Sequence, residues 1–455
     1  MAETKTPSEA AAQYVGLYND NRALIESACA APALNAARPA ALATLMTTPL
    51  PRLGDEGYEK TSVEKIFAPD FGVNVARKNI PVDVARSFKC DVPNMSTLSA
   101  FVVNDTFVPT ASLADRLPDG VTFMSLAEAA RRYPDIVASH YGRLAPADSA
   151  AAALNTLLVQ DGVFIHVKAG VRVEKPLQLV NIFSAPVPLA AFRRMLVVIE
   201  EGAELRLLVC DHTQDSERAY AASQVAEIFV GARARFEMCA IEESSLLTSR
   251  MAQTYVAQQE GAATAINTTA LTCGVSRNEW RVRLDGEHAE SLLSGMAIGS
   301  ETMHIDNDTF VGHYAARCKS DQKFKYVLDG SSRGAFEGRI LVTPSAPFTE
   351  AYQSTRNILA SGSARMHCKP QLEIYNDEVK CSHGATTGQL DAEQIFYMRQ
   401  RGIPEAEART MLMQAFMIDI VDTVGIPGVA DRLRHLVERR FDGSLGACAS
   451  CHNNC

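Results

Sequence analysis

Residues 231–238 read GARARFEM, and this stretch decides the fold. A Gly-Ala turn leads into strict alternation of small or apolar side chains with charged ones. Because successive side chains of a β-strand point to opposite faces, Ala234, Phe236 and Met238 share one face and the charged residues between them share the other. The pattern predicts a strand with one buried face and one face in water.

The same unit of a turn and a strand recurs through the middle of the chain. Similar alternation is found at residues 163–167, 280–284 and 324–328. Repeat periods of 20–50 residues are typical of stacked arrays. Turns with intervals of 32, 29, 30 and 25 residues lie at Gly170, Gly202, Gly231, Gly261 and Gly286.

Almost no stretch between Gly162 and Tyr375 has the periodicity of a long helix. Parallel strands normally need long crossovers, which are usually helices, so repeated parallel strands without helices must stack coil on coil. We therefore predict a mainly β protein whose core is a right-handed parallel β-helix. A large antiparallel sandwich is the alternative.

Both ends of the chain are predicted to be helical. Ser8 is a suitable N-cap for an alanine-rich run, and Gly402 and Gly425 are suitable C-terminal stops. The predicted helices are at residues 8–30, 36–46, 126–133, 148–158, 391–401, 404–424 and 429–441. The predicted regions are a mainly helical N-terminal region (1–160), a β-helix core (161–385), a C-terminal helical domain (386–442) and a Cys-rich tail (443–455).

The composition excludes several classes of function. The chain has 455 residues, 47% hydrophobic and 21% charged, as in ordinary soluble proteins. A net charge of −9 argues against a dedicated nucleic-acid binder. The sequence shows no signal peptide and no membrane span, so we expect a cytoplasmic protein whose 11 cysteines are reduced thiols. No P-loop motif is present, so ATP hydrolysis would have to come from a partner.

Cys381 and His383 are the leading candidates for a functional site. They lie two residues apart in the run KCSHGATT at 380–387. In an extended strand, both side chains would point to the same face. A thiol beside an imidazole suits a soft or borderline metal, or a reactive thiolate. The pair His367-Cys368 lies one short coil upstream, but adjacent residues of a strand face opposite sides.

The tail contains a second candidate metal site. Cys448, Cys451, His452 and Cys455 offer three thiolates and an imidazole, a suitable set for zinc or iron. The CxxCH spacing also matches a c-type haem attachment site, which would require export. A tail without an essential role is the simpler expectation.

Residues 370–402 read PQLEIYNDEVKCSHGATTGQLDAEQIFYMRQRG. Together with FEGRI at 336–340 and QSTRNIL at 353–359, this run resembles the SufB/SufD family of the SUF iron–sulfur cluster assembly system. The resemblance covers residues 162–441, and the Cys-Ser-His-Gly-Ala-Thr form is similar to the SufD branch.

The resemblance implies a non-catalytic scaffold subunit. It implies pairing with a SufB-like paralogue through the β-helices, with a transient iron–sulfur cluster built at that interface and His383 and Cys381 in the cluster site. It also implies a C-terminal helical domain that docks a SufC-like ATPase, for which we expect Leu412, Phe416 and Ile420 to contribute. A reduced flavin is associated with the family complex, and no glycine pattern places it in this chain.

A β-helical enzyme that acts on a polysaccharide is the competing hypothesis. The β-helix fold permits either function. Carbohydrate lyases and hydrolases usually need a groove lined with carboxylates and basic groups. The Cys-Ser-His run and the expected cytoplasmic location favour the scaffold.

Overall fold

The computed structural model describes residues 7–29, 31–78, 80 and 97–443. The strands in this part of the chain form two sheets, and from β4 onward they alternate between the two. In chain order the strands are β1 (Leu98–Val103), β2 (Thr106–Pro109), β3 (Val121–Ser125), β4 (Gly162–Val167), β5 (Leu177–Phe183), β6 (Leu189–Ile199), β7 (Glu204–Thr213), β8 (Tyr220–Val230), β9 (Arg235–Glu243), β10 (Thr248–Gln258), β11 (Ala263–Thr272), β12 (Val275–Leu284), β13 (Glu290–Gly299), β14 (His304–His313), β15 (Lys319–Leu328), β16 (Arg333–Val342), β17 (Glu350–Leu359), β18 (Arg365–Ile374) and β19 (Lys380–Gly388).

Strands β4 to β19 form a parallel β-helix of about eight coils, within the residues described. The even-numbered strands from β4 to β18 pair in parallel in one sheet, called sheet A, and β3 extends it. The odd-numbered strands from β5 to β19 pair in parallel in the other, sheet B, which β1 and β2 extend. The fold prediction is confirmed, and the antiparallel sandwich is wrong.

Seven of the eight turns that lead from a sheet A strand to the next sheet B strand, from β4–β5 to β16–β17, contain one residue in the left-handed conformation. It is a glycine in some coils, such as Gly170 and Gly261, and a larger residue in others, such as Arg233 and His288. Gly231 and Gly286 are therefore not the left-handed positions of their turns. The irregular glycine spacing in the sequence arises because some coils place another residue type at this position.

Helices precede and follow the β-helix in the sequence, as predicted. The strands β1, β2 and β3 in the N-terminal region were not expected. In chain order the helices are α1 (Glu9–Cys29), α2 (Pro32–Thr47), α3 (Val63–Phe67), α4 (Leu113–Arg116), α5 (Leu126–Arg132), α6 (Pro134–His140), α7 (Ala150–Leu158), α8 (Ala392–Arg399), α9 (Glu405–Val421) and α10 (Val429–Phe441). None of the described helices is long and apolar enough to cross a bilayer.

The N-terminal helices pack on the outer face of sheet A. Tyr14 of α1 and Leu154 of α7 lie in one buried cluster with Phe192 of β6 and Met251 of β10. The rings of Tyr14 and Phe192 meet edge to face at 5.6 Å between centroids. Burial of this apolar surface fixes the N-terminal region against the β-helix.

The C-terminal helices pack on the outer face of sheet B, which the alternation alone had assigned to water. Met417 of α9 and Leu433 of α10 are buried in one cluster with Leu208 of β7 and Ile241 of β9. Lys325 of β15 points to this outer face and is covered by the helices, so that only 7% of its surface is exposed. Its ammonium group donates to the carbonyl oxygen of Phe416 at 2.7 Å and to the Asp419 carboxylate at 2.5 Å.

Candidate functional site

The KCSHGATT run forms most of β19, the last strand of sheet B. Within the described chain, β19 has one neighbouring strand, β17, so its other edge is open. The parallel register pairs Cys381 with Ala351 and His383 with Gln353. Ala351 and Gln353 are buried residues of the β-helix interior, so Cys381 and His383 both face inward at the open end of the stack.

The two candidate ligands differ in their surroundings. Cys381 is half-buried and packs against the apolar cluster of Ile340, Val342 and Ala351. Burial raises the pKa of its thiol above the ordinary value, which disfavours the thiolate. His383 is exposed. The imidazole is therefore the more accessible of the two candidate ligands, and the thiol is held mainly in its protonated form.

The upstream pair His367-Cys368 is divided between the two faces of β18. Cys368 faces the interior, where the amide of Asn357 donates to its sulfur at 3.2 Å and to the Thr387 hydroxyl at 3.1 Å. Burial raises the pKa of the Cys368 thiol. His367 faces the other way, and burial, together with the charge of Lys60, lowers its pKa. The pair does not present two ligands to one metal.

Among the described residues, no group of three or more His, Cys, Asp or Glu side chains is close enough to hold a metal ion. Cys381 and His383 thus contribute at most two protein ligands at the open end. The tail candidates Cys448, Cys451, His452 and Cys455 lie outside the described residues. The buried cysteines of the β-helix are Cys210, Cys239, Cys273 and Cys318, as expected for structural thiols.

The residues expected to dock an ATPase follow one another at intervals of about one turn along α9 and differ in burial. Ile420 is only 1% exposed and packs against sheet B, so it contributes to the core and not to an accessible surface. Leu412 is half-buried. Phe416 is half-buried too, with its ring 4.5 Å from the Lys325 ammonium. The expectation for Ile420 is corrected because the buried stripe of α9 follows the sheet beneath it.

A different set of apolar side chains is exposed on the C-terminal helices. Met411 and Ile418 of α9 are exposed at 43% and 38%, and they lie two turns apart on one face. Phe396 and Tyr397 of the adjacent helix α8 are also exposed. We call these four residues the α8–α9 patch. Both this patch and the buried stripe of α9 consist of hydrophobic residues, so the sequence alone could not show which of the two is exposed.

Sequence reasoning did not identify Gln353 as part of the site. Its side chain is 3% exposed, and neither its amide oxygen nor its amide nitrogen has a hydrogen-bond partner among the described residues. The available signal was its place in QSTRNIL, since alternation puts it on the same face as Ala351. A buried unpaired amide is costly and calls for an explanation.

The outer face of sheet B also contains a groove of about 900 Å³, the feature a polysaccharide-binding enzyme would need. Its charges are largely paired between neighbouring coils. Arg172 lies 2.9 Å from Glu204, and Lys319 lies 3.5 Å from Glu290. Such cross-strand pairs stabilise the surface of a sheet, so the groove does not by itself support a hydrolytic site.

Comparison with known proteins points to one family. Residues 8–179 match the model for the SufBD protein N-terminal region, and residues 182–416 match the model for the SUF system FeS cluster assembly SufBD core domain. An iron–sulfur cluster assembly SufBD family protein of Synechocystis is 27% identical over 86% of this chain and 87% of its own length. The iron–sulfur cluster assembly protein SufD of Escherichia coli is 30% identical over 64% of this chain and 69% of its own. The chloroplastic protein ABCI7 of Arabidopsis thaliana is 25% identical over 87% and 83%.

Proposed function

We propose that this chain, which belongs to the SufBD family of the SUF iron–sulfur cluster assembly system, is a scaffold subunit that pairs with a SufB-like paralogue and docks a SufC-like ATPase. The observation that carries the proposal is the position of His383. It lies on an open strand edge, exposed, at the end of the β-helix. Open strand edges are ready-made surfaces for pairing with another chain.

The nascent cluster is cargo that this site helps to build. A neutral imidazole is a suitable iron ligand, and iron–sulfur clusters accept histidine in place of cysteine. His383 supplies the accessible nitrogen, and Cys381 supports it from a half-buried position. The remaining ligands come from the SufB-like partner across the open edge. We place this assembly in the cytoplasm, where thiols stay reduced.

The ATPase docks on the C-terminal helices. The α8–α9 patch consists of large apolar and aromatic residues at the surface, and such residues are enriched at interface centres. The opposite side of α9 is anchored to sheet B through Lys325, which bonds to the main chain and to Asp419. Force applied to the patch by a nucleotide-driven partner would therefore reach the β-helix directly.

The test is the recovery of iron and acid-labile sulfide on the purified complex of this chain with its two partners. His383→Ala should leave the complex intact and lower both iron and sulfide, because the accessible ligand is gone. The paired change Cys448→Ser with Cys451→Ser is the control and should change neither quantity. If the tail variant loses the cluster while His383→Ala retains it, the site lies at the other end of the chain and the proposal is wrong.

A further inference from the structure

One inward-facing column of residues in sheet B changes character along the β-helix. Paired residues of successive coils occupy the same position in this column. In order toward the open end they are Met238, Ile266, Leu293, Gln322, Gln353 and His383. The first three positions are thus apolar, the next two are buried amides, and the last is the candidate ligand His383.

The structure makes room for the Gln353 amide one coil below His383. A Cβ atom placed at Gly338, on the facing strand β16, would lie 1.5 Å from the Gln353 amide nitrogen. Only a residue without a side chain therefore allows Gln353 to extend across the interior. The amide is held there even though both of its polar atoms lack partners among the described residues. Burial of an unpaired amide opposes folding, so stability alone does not account for it.

Adjacent strands of a sheet lie about 4.8 Å apart, so paired residues on the same face lie within reach of each other's polar atoms. His383 is the paired neighbour of Gln353 on its open side. Histidines that bind metals almost always donate their other ring N–H to a carboxylate or carbonyl oxygen, which fixes the tautomer and the ring orientation. Gln353 provides a free carbonyl oxygen at that position. The paired neighbour of Cys381 is Ala351, which offers the thiol a main-chain hydrogen bond and no side-chain carbonyl oxygen.

We propose that Gln353 is a positioning residue for His383: its amide oxygen accepts the ring N–H that faces the interior, and the other ring nitrogen is thereby directed outward to iron. The inference rests on the proposed function for the role of that outward nitrogen. The hydrogen bond would involve only residues of this chain. In the described part of the structure the Gln353 amide oxygen has no partner, so the bond forms after a rotation of the Gln353 amide or of the His383 ring. Gly338 is the second part of the arrangement, because it provides the space that the amide occupies.

The first experiment measures the tautomer of His383 in the full chain by ¹⁵N NMR of labelled histidine, at a pH where the ring is neutral, with His383→Ala to assign the signal. The parent chain should show one tautomer. Gln353→Leu, which copies Leu293 of the same column, should give a mixture, and Gly338→Ala should do the same by displacing the amide. Gln353→Glu keeps an acceptor oxygen and should restore a single tautomer.

Gln322→Leu is the matched control, because it changes a buried amide of the same column that is not paired with His383. It should leave the tautomer unchanged. A mixture in the parent chain, an unchanged tautomer in Gln353→Leu, or an equal change in Gln322→Leu would each overturn the inference.

The second experiment measures the affinity for iron in the reconstituted complex with ferrous iron and sulfide. Loss of such a supporting partner typically weakens metal affinity by about 10–100-fold, and Gln353→Leu should fall in that range, with Gln353→Glu close to the parent. Unchanged affinity in Gln353→Leu would overturn the positioning role. If His383→Ala itself retains iron and sulfide, the proposed function fails, while the tautomer measurements still decide whether Gln353 holds the ring.

Discussion

The two faces of helix α9 can be separated by changing isoleucines that lie two residues apart. Ile420 is 1% exposed and packs against sheet B, whereas Ile418 is 38% exposed in the α8–α9 patch. We predict that Ile420→Ala weakens the attachment of the C-terminal helices to the β-helix. Ile418→Ala should instead weaken binding of the ATPase. The two substitutions remove the same atoms, so their effects differ only through location.

The expected magnitudes follow from burial. Truncation of a fully buried isoleucine to alanine costs about 2–5 kcal/mol, from the lost transfer free energy and the cavity left behind. A surface substitution usually changes stability by no more than about 0.5 kcal/mol. If Ile418 is central to the interface, its truncation should cost about 2 kcal/mol of binding free energy, roughly a 30-fold increase in Kd.

Hydrogen exchange and calorimetry measure the two effects separately. Ile420→Ala should accelerate exchange of the α10 amides, because that helix shares the apolar cluster with Ile420. Ile418→Ala should leave this exchange as it is in the parent chain. Titration with the purified ATPase should show the weaker binding in Ile418→Ala. Point variants are preferable to removal of the helices, which would expose the apolar outer face of sheet B.

The reasoning is refuted if the results are reversed. Fast exchange in Ile418→Ala with no change in Ile420→Ala would mean that the buried stripe has been assigned to the wrong face. Full ATPase affinity in Ile418→Ala, Met411→Ala and Phe396→Ala would remove the α8–α9 patch from the interface.

Two further predictions concern the stability of the β-helix. Glu227→Ala should lower the free energy of unfolding by about 3–5 kcal/mol in urea titrations, since it strands the buried guanidinium of Arg194, which lies 2.6 Å from the carboxylate. Burial alone would raise the pKa of Glu227, but Arg194 and neighbouring main-chain N–H groups outweigh it and hold the pKa below 4.5. The stabilisation that this ion pair provides is therefore complete above that pH and is lost as the pH falls further. The free energy of unfolding of Glu227→Ala should accordingly depend less on pH in the acidic range than that of the parent chain, and an equal dependence would contradict the prediction. Gly295→Ala should cost about 1–3 kcal/mol, because its Cβ would lie 2.4 Å from the ring of Phe324; an unchanged urea midpoint would rule this out.

The β-helix could be predicted from the sequence because its two signals are local. Alternation fixes which side chains face inward, and Phe236 and Trp280 do face the interior. The turns were placed less well. The left-handed position is Arg233 in one coil and His288 in another, so a search for glycine finds only part of the series. Backbone conformation at these turns is set by the stacking of the coils and not by residue type alone.

The environment of the outer faces of the two sheets could not be predicted, because it depends on which helix packs against which strand. Lys325 belongs to the polar half of its alternation and is nevertheless covered by α9. Ile420 has the hydrophobicity of an interface residue and is buried in the core. Long-range packing decides both cases. Cys381 and His383 were placed on one face correctly because two residues in one strand obey a local rule, whereas the buried amide of Gln353 required knowledge of the register between coils.

The open edge of β19 has a consequence for how firmly His383 is held. Each coil of such a stack is stabilised by its immediate neighbours, so an interior coil has two and the terminal coil has one. The imidazole is therefore attached to a terminal coil, and the hydrogen bond that we propose with Gln353 would be lost whenever that coil opens. A subunit that stacks on the edge turns a terminal coil into an interior one and shifts the equilibrium toward the closed coil by mass action. The order of the His383 ring and the presence of a partner are thus thermodynamically linked, and pairing at this edge should further protect an orientation that the chain already favours on its own.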